Sequence, residues 1–110
     1  MKIAIIGSRT LYVRNLNLYL PDDLDEIVSG GAAGIDRCAK DYAIKNNINY
    51  TEFLPDYKEY GKIAPLKRND KIINYADMVI AFWNGKSNGT RYVIKECRRK
   101  GKKIKVYMPK

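Results

Sequence analysis

Short apolar runs alternate along this chain with stretches in which apolar residues return every three or four positions. The runs are Lys2–Ile6, Glu26–Ser29, Asn49–Leu54, Met78–Phe82 and Lys103–Tyr107, and each reads as a β-strand. After the second run, Ile35, Cys38, Ala39 and Tyr42 fall at i, i+3, i+4 and i+7 while Asp36, Arg37, Lys40 and Asp41 point elsewhere. That spacing predicts an amphipathic helix lying on a sheet. Thr90, Val93, Ile94 and Cys97 repeat it after the fourth run, and Gly101 stands where a left-handed cap would end the helix. Between the third and fourth runs, Pro65 suits a first helical turn, followed by Leu66, Asn69, Ile73 and Ala76 at helical spacing. Arg9 to Leu20 is the ambiguous segment, for which a short helix through Val13, Leu16 and Tyr19 is one reading.

The alternation predicts an α/β fold, a doubly wound, mainly parallel five-stranded sheet in the order 3-2-1-4-5 with helices on both faces, formed by one domain over residues 1–110. Right-handed crossovers would bring every strand-to-helix turn to one edge of that sheet, where open α/β proteins bind ligands. The converging turns are Gly7-Ser8-Arg9-Thr10, Gly30-Gly31-Ala32-Ala33-Gly34-Ile35-Asp36, Pro55-Asp56 and Trp83-Asn84-Gly85-Lys86-Ser87-Asn88-Gly89-Thr90.

The second turn is the richest in small residues. Glycine admits positive φ and lets an anion approach without meeting a Cβ, and the helix that follows offers unpaired N–H groups and a positive dipole end. A tight turn needing glycine for geometry alone is the plainer alternative. Asp36, in the first helical turn, could bind a ribose hydroxyl or complement the helix dipole. The turn through Gly85, Ser87, Gly89 and Thr90 is a second anion-site candidate. Its Gly85-Lys86-Ser87 looks like the end of a Walker A motif but fails, because Ile80 stands where that motif needs its first glycine. No G-x-G-x-x-G follows any strand, so an ordinary dinucleotide fingerprint is missing. Trp83 could stack on a base or sugar, or serve packing or a subunit contact. Arg9 and Arg68 could clamp a phosphate or be ordinary surface arginines.

Charge narrows the class of partner. The chain carries 21 basic and 12 acidic residues, a formal +9, which favours anions such as nucleotides or nucleic acid. Lys95, Arg98, Arg99, Lys100, Lys102, Lys103, Lys105 and Lys110 crowd the carboxy-terminal stretch with only Glu96 opposing them, a pattern expected of a solvated helix face and tail. Hydrophobic residues at 45% and charged residues at 30% argue against extensive disorder. Cys38 and Cys97 are expected as free buried thiols, and without histidine a zinc cluster lacks partners. The apolar run after Met1 is too short for a signal peptide or span, so the expected location is cytoplasmic, with no membrane partner.

Taken in order, Ile6-Gly7-Ser8-Arg9, Val28-Ser29-Gly30-Gly31-Ala32-Ala33-Gly34-Ile35-Asp36, Phe53-Leu54-Pro55-Asp56 with Tyr60-Gly61, Arg68-Asn69, Ala76-Asp77 and Ala81-Phe82-Trp83-Asn84-Gly85-Lys86-Ser87-Asn88-Gly89-Thr90 resemble the YspA-type, cpYpsA-related branch of the SLOG superfamily. The resemblance runs from about Lys2 to Tyr107. It implies a Rossmann-like sheet that binds a nucleotide or nucleotide-derived molecule as a sensor, effector or sequestering module. The superfamily also includes the lonely-guy phosphoribohydrolases and the single-stranded-DNA-binding DprA proteins, so enzyme and nucleic-acid readings both stay open. In the lonely-guy pattern P-G-G-x-G-T-x-x-E the catalytic glutamate lies three positions after the threonine, where this chain has Val93, and Lys86 and Ser87 replace the paired glycines. Arg68 matches the arginine of those enzymes. Asp36, Asp56 or Glu96 could supply a substitute carboxylate.

The expectation is therefore a phosphorylated nucleoside, with no further cofactor or metal, held without cleavage. Backbone amides of Gly31 to Gly34 and of Gly89 and Thr90 would hold phosphate, with Gly7 and Gly30 shaping the turns and hydroxyls of Ser8, Ser87 and Thr90 assisting. Arg9 and Arg68 would neutralise charge, Asp36 would fix a ribose, Trp83 or Asn84 would line the base side, and Asn69 and Gly85 complete the expected binding residues. At this length only about two thirds of the unfolded surface is buried, which favours a homo-oligomer.

Overall fold

The computed structural model describes residues 1–109. The sheet is five-stranded and wholly parallel, in the order β3-β2-β1-β4-β5. Its strands are β1 (Lys2–Gly7), β2 (Glu26–Ser29), β3 (Asn49–Glu52), β4 (Met78–Phe82) and β5 (Ile104–Tyr107), and the helices are α1 (Ile35–Lys45), α2 (Tyr57–Tyr60), α3 (Ala64–Tyr75) and α4 (Asn88–Lys100). Residues Leu16–Tyr19 form a single 3-10 turn, and Gly61–Ile63 another. The fold class, strand order and every helix with a clear period agree with the sequence reading.

The period of two along the strands divides the core into two layers. Ile3, Ile5, Ile27, Met78, Ile80 and Phe82 face α1, where Ile35, Cys38, Ala39 and Ala43 meet them, and Val13 and Leu16 close the same layer. Ala4, Ile6, Val28, Val79 and Ala81 face the other way, onto Ile72, Ile73 and Ala76 of the α3 end and Val93, Ile94 and Cys97 of α4. Strands β1 and β4 are buried on both faces, which is why they read as unbroken apolar runs. Tyr19 turns its edge to Phe82 at a centroid distance of 5.0 Å, anchoring the 9–20 segment to the sheet. Among the described residues no helix is long and apolar enough to cross a membrane.

Three local expectations are corrected. Strand β3 stops at Glu52 rather than Leu54: Phe53 still donates to the Ser29 carbonyl, but Leu54 is exposed and Pro55 has no N–H to continue a ladder. Leu66 does not lie on the inner face of α3, where Ala64, Arg68, Asn69, Ile72 and Ile73 are buried instead. Tyr42 is only half-buried, and Ala43 takes the inner position at the end of α1.

Neighbour order reverses at the β1 and β4 pair, since β2 and β3 lie on one side and β5 on the other. Loops leaving the carboxyl ends of β1 and β4 diverge at such a point and open a crevice between them. The register Gly7 to Phe82 places the two loops side by side.

Candidate functional site

A cleft of about 540 Å³ opens at that edge. It gathers Gly7, Arg9, Ala32, Asp36, Arg68, Asn69, Asn84, Ser87, Gly89 and Thr90 from four separate segments of the chain. An adjoining hollow of about 290 Å³ shares Arg9, Ala32 and Arg68, and adds Gly30, Gly31 and Ala33 together with Leu54, Pro55 and Tyr57. Ser8, Gly34, Trp83 and Gly85 line neither space.

Arg68 is the centre of this arrangement. It projects from α3 with only 8% of its surface exposed, and its Nη1 donates to the Gly30 carbonyl at 2.5 Å while Nε donates to Asn69 Oδ1 at 2.8 Å. No carboxylate forms an ion pair with it among the described residues. Burial lowers its pKa, opposed chiefly by the charge of Asp36. A buried guanidinium left with a free terminal nitrogen on a cleft wall is ready for an anionic or strongly accepting group.

The glycine turn before α1 serves that arginine. Gly30 lies directly under the guanidinium, so that a Cβ there would meet Arg68 Cζ at 2.8 Å. Gly34, at φ +74°, sits where a Cβ would be 2.5 Å from the Ser8 carbonyl oxygen. The Ala32 amide donates to Asp36 Oδ2 at 3.1 Å, so one of the N–H groups expected to hold phosphate is already engaged by a carboxylate. Asp36 itself is 6% exposed, and its Oδ1 has no partner. Burial raises its pKa, and the Ala32 amide and then the Arg68 charge pull it partly back.

The amino end of α4 lines the same cleft. Ser87 caps it, its Oγ accepting from the Thr90 amide at 3.5 Å and lying 3.2 Å from Thr90 Oγ1. The Thr90 amide is thus capped, while those of Asn88 and Gly89 have no partner among the described residues. Asn84 organises the approach, its Oδ1 accepting from the amides of Lys86 at 2.8 Å and Ser87 at 2.9 Å. Ser8 braces the loop from behind: it is fully buried, and its Oγ accepts from the Asn84 amide at 3.0 Å. Trp83 also braces, donating Nε1–H to the Ser87 carbonyl at 3.1 Å with the Arg91 guanidinium 5.5 Å from its ring centre. Gly85, at φ +82°, turns the loop beside Met108.

Several lining residues escaped the sequence reading. Lys62 adds a second flexible cation to the cleft mouth, and Pro65 and Leu66 form its rim. The hollow takes its aromatic surface from Tyr57, which lies just past the Pro55-Asp56 turn that had marked this edge. Val93, 2% exposed, also borders the cleft. Asp56 instead caps α2, accepting from the Glu59 amide at 3.1 Å, and Glu96 pairs with Arg99 at 2.8 Å; neither lines the cleft. Asp36 is its one lining carboxylate.

Comparison of the chain with family models, with curated proteins and with solved structures gave no match.

Proposed function

We propose that this chain is a SLOG-type domain that binds a nucleotide or nucleotide-derived phosphorylated ligand in the cleft at the carboxyl ends of β1 and β4, as a sensor, effector or sequestering module. The observation that carries the reading is Arg68, a buried guanidinium without a carboxylate partner, lining the same cleft as the free Asn88 and Gly89 amides of α4. A phosphate there would accept from those amides and from the Ser87 and Thr90 hydroxyls, with Arg9 and Lys62 adding charge from the mouth. The aromatic and apolar surface of Leu54, Pro55 and Tyr57 is the platform for a base, a role that Trp83 is not placed to fill.

Binding is favoured over cleavage by the chemistry of the lining. Glycosidic hydrolysis needs a carboxylate near the sugar to activate water. Val93 borders the cleft at the position that holds glutamate in the lonely-guy enzymes, and the one carboxylate present is engaged by a backbone amide. Thermal stabilisation by nucleoside mono-, di- and triphosphates tests the proposal, with chromatography of the same samples for released base. The expected result is stabilisation that grows with ligand concentration, reaching about 2.7 kcal/mol at a hundredfold excess over Kd, with no free base and with loss in Arg9→Glu. No stabilisation by any nucleotide at millimolar concentration would refute it.

A further inference from the structure

We infer that the groove between the Tyr12–Asn17 segment and α1 is a second ligand site, one that takes a small aromatic carboxylate. The inference goes beyond the nucleotide reading and does not rest on it, since this groove and the cleft at β1 and β4 share no lining residue.

The first support is a cavity already built. Its volume is about 420 Å³, within the range of small-molecule sites. Buried Val13, Leu16 and Cys38 give it an apolar floor, and Tyr12 and Tyr42 add aromatic surface to the lining. Two hydrogen bonds tie the segment to α1, from the Cys38 thiol to the Val13 carbonyl at 2.8 Å and from the Tyr12 hydroxyl to Asp41 Oδ2 at 3.3 Å. Tyr12 is still an exposed ring. A flat apolar guest resting in the groove would take that ring and its own face out of water together.

The second support is unanswered positive charge. Arg14 and Lys45 line the groove, and neither forms an ion pair among the described residues. Asp41, the one carboxylate in the lining, already accepts from Arg37 Nε at 3.3 Å as well as from Tyr12. The backbone amides of Tyr12, Val13 and Arg14 also have no partner among the described residues. These groups are donors only, so the polar end of a guest must be an acceptor, and an anion is favoured. A single charge suits the place better than a double one, because Lys45 ends α1, Asn46 is its C-cap, and the carboxyl end of a helix repels negative charge. A carboxylate on an aromatic ring supplies the single charge, the planar match to a guanidinium and the flat apolar face.

The test is a titration of the isotope-labelled full chain followed by amide chemical shifts, with phenylacetate, its neutral amide phenylacetamide and acetate as probes. Phenylacetate should move the Val13, Leu16, Cys38 and Tyr42 signals saturably at millimolar concentration or below, and each of the other probes should bind about 10-fold more weakly, one for lack of charge and one for lack of a ring. Arg14→Glu combined with Lys45→Glu changes exposed side chains only. In that variant phenylacetate should weaken by about 10-fold or more, while phenylacetamide stays within about twofold of its affinity for the parent. The inference is overturned by the absence of saturable movement of these signals, by phenylacetamide or acetate binding as tightly as phenylacetate, or by undiminished phenylacetate binding in the double variant. Movement confined to the Arg68 and Thr90 signals would put the probe in the other cleft and overturn it as well. Each of these results leaves nucleotide binding to be judged by its own assay.

Discussion

Replacing Gly30 with alanine should damage the protein through one contact alone. Gly30 does not have a positive φ, so its backbone accepts alanine without strain. The new methyl group, however, would lie 2.8 Å from Arg68 Cζ and 3.1 Å from its Cδ. The guanidinium must move, which breaks the 2.5 Å bond to the Gly30 carbonyl in a buried setting. Overpacking and the loss of a charged hydrogen bond are here the same event, and together they put the cost at about 2 kcal/mol. In a domain of this size that is a fall in Tm of roughly 10 °C. Urea unfolding of the parent, Gly30→Ala, Arg68→Ala and the double variant forms a thermodynamic cycle. Once the arginine is removed, the alanine should cost less than about 0.5 kcal/mol, giving a coupling near ~2 kcal/mol. A Gly30→Ala chain as stable as the parent would refute the reasoning, and so would an unchanged cost in the Arg68→Ala background.

Asp36→Asn should stabilise the chain at pH 7, because burial raises the folded carboxyl pKa above its ordinary value of 3.8 and ionisation therefore works against folding. The folded state binds the proton more tightly, so this contribution to stability is present at low pH and is lost as pH rises through the folded pKa. The advantage of the variant in thermal scans should shrink on acidification and vanish below the ordinary carboxylate range. Gly101→Ala should cost about 1 kcal/mol in urea unfolding, since residue 101 ends α4 at φ +71° with open space around it and the penalty is conformational alone. Neither Cys38 nor Cys97 should react with a thiol reagent in the native protein at neutral pH, since both are buried and burial pushes the Cys97 thiol up to about 11. Both should react at once in denaturant.

The layers of the fold were legible because β1 and β4 are apolar on both faces and α1 and α4 keep an unbroken inner stripe. The site was legible as a set of turns, but not in the duties of its members. That Ala32 would donate to Asp36 depends on how the chain bends between them, and the 38 residues separating Arg68 from Gly30 hide their contact from any local pattern. Leu66 was misplaced because the inner row of α3 holds Arg68 and Asn69 where periodicity looks for apolar side chains. Trp83 sits at the strand mouth as its position suggests, yet its indole N–H is turned to the Ser87 carbonyl, a direction that spacing does not encode. Tyr57 and Lys62 come from the segment Tyr57–Ile63, which buries no side chain and so leaves no hydrophobic signature.

The loops that leave β1 and β4 are stitched together at two points, by the Asn84 amide on Ser8 Oγ and by Asn84 Nδ2 donating to Thr10 Oγ1 at 3.2 Å. A gap held open by such struts keeps its width whether or not anything fills it. A guest entering there finds its amides already aimed and gives up little conformational freedom of the host. In the proposed reading, recognition on that side would work as a gauge of fixed bore, and what adjustment a guest requires would fall to the unburied Tyr57–Ile63 segment.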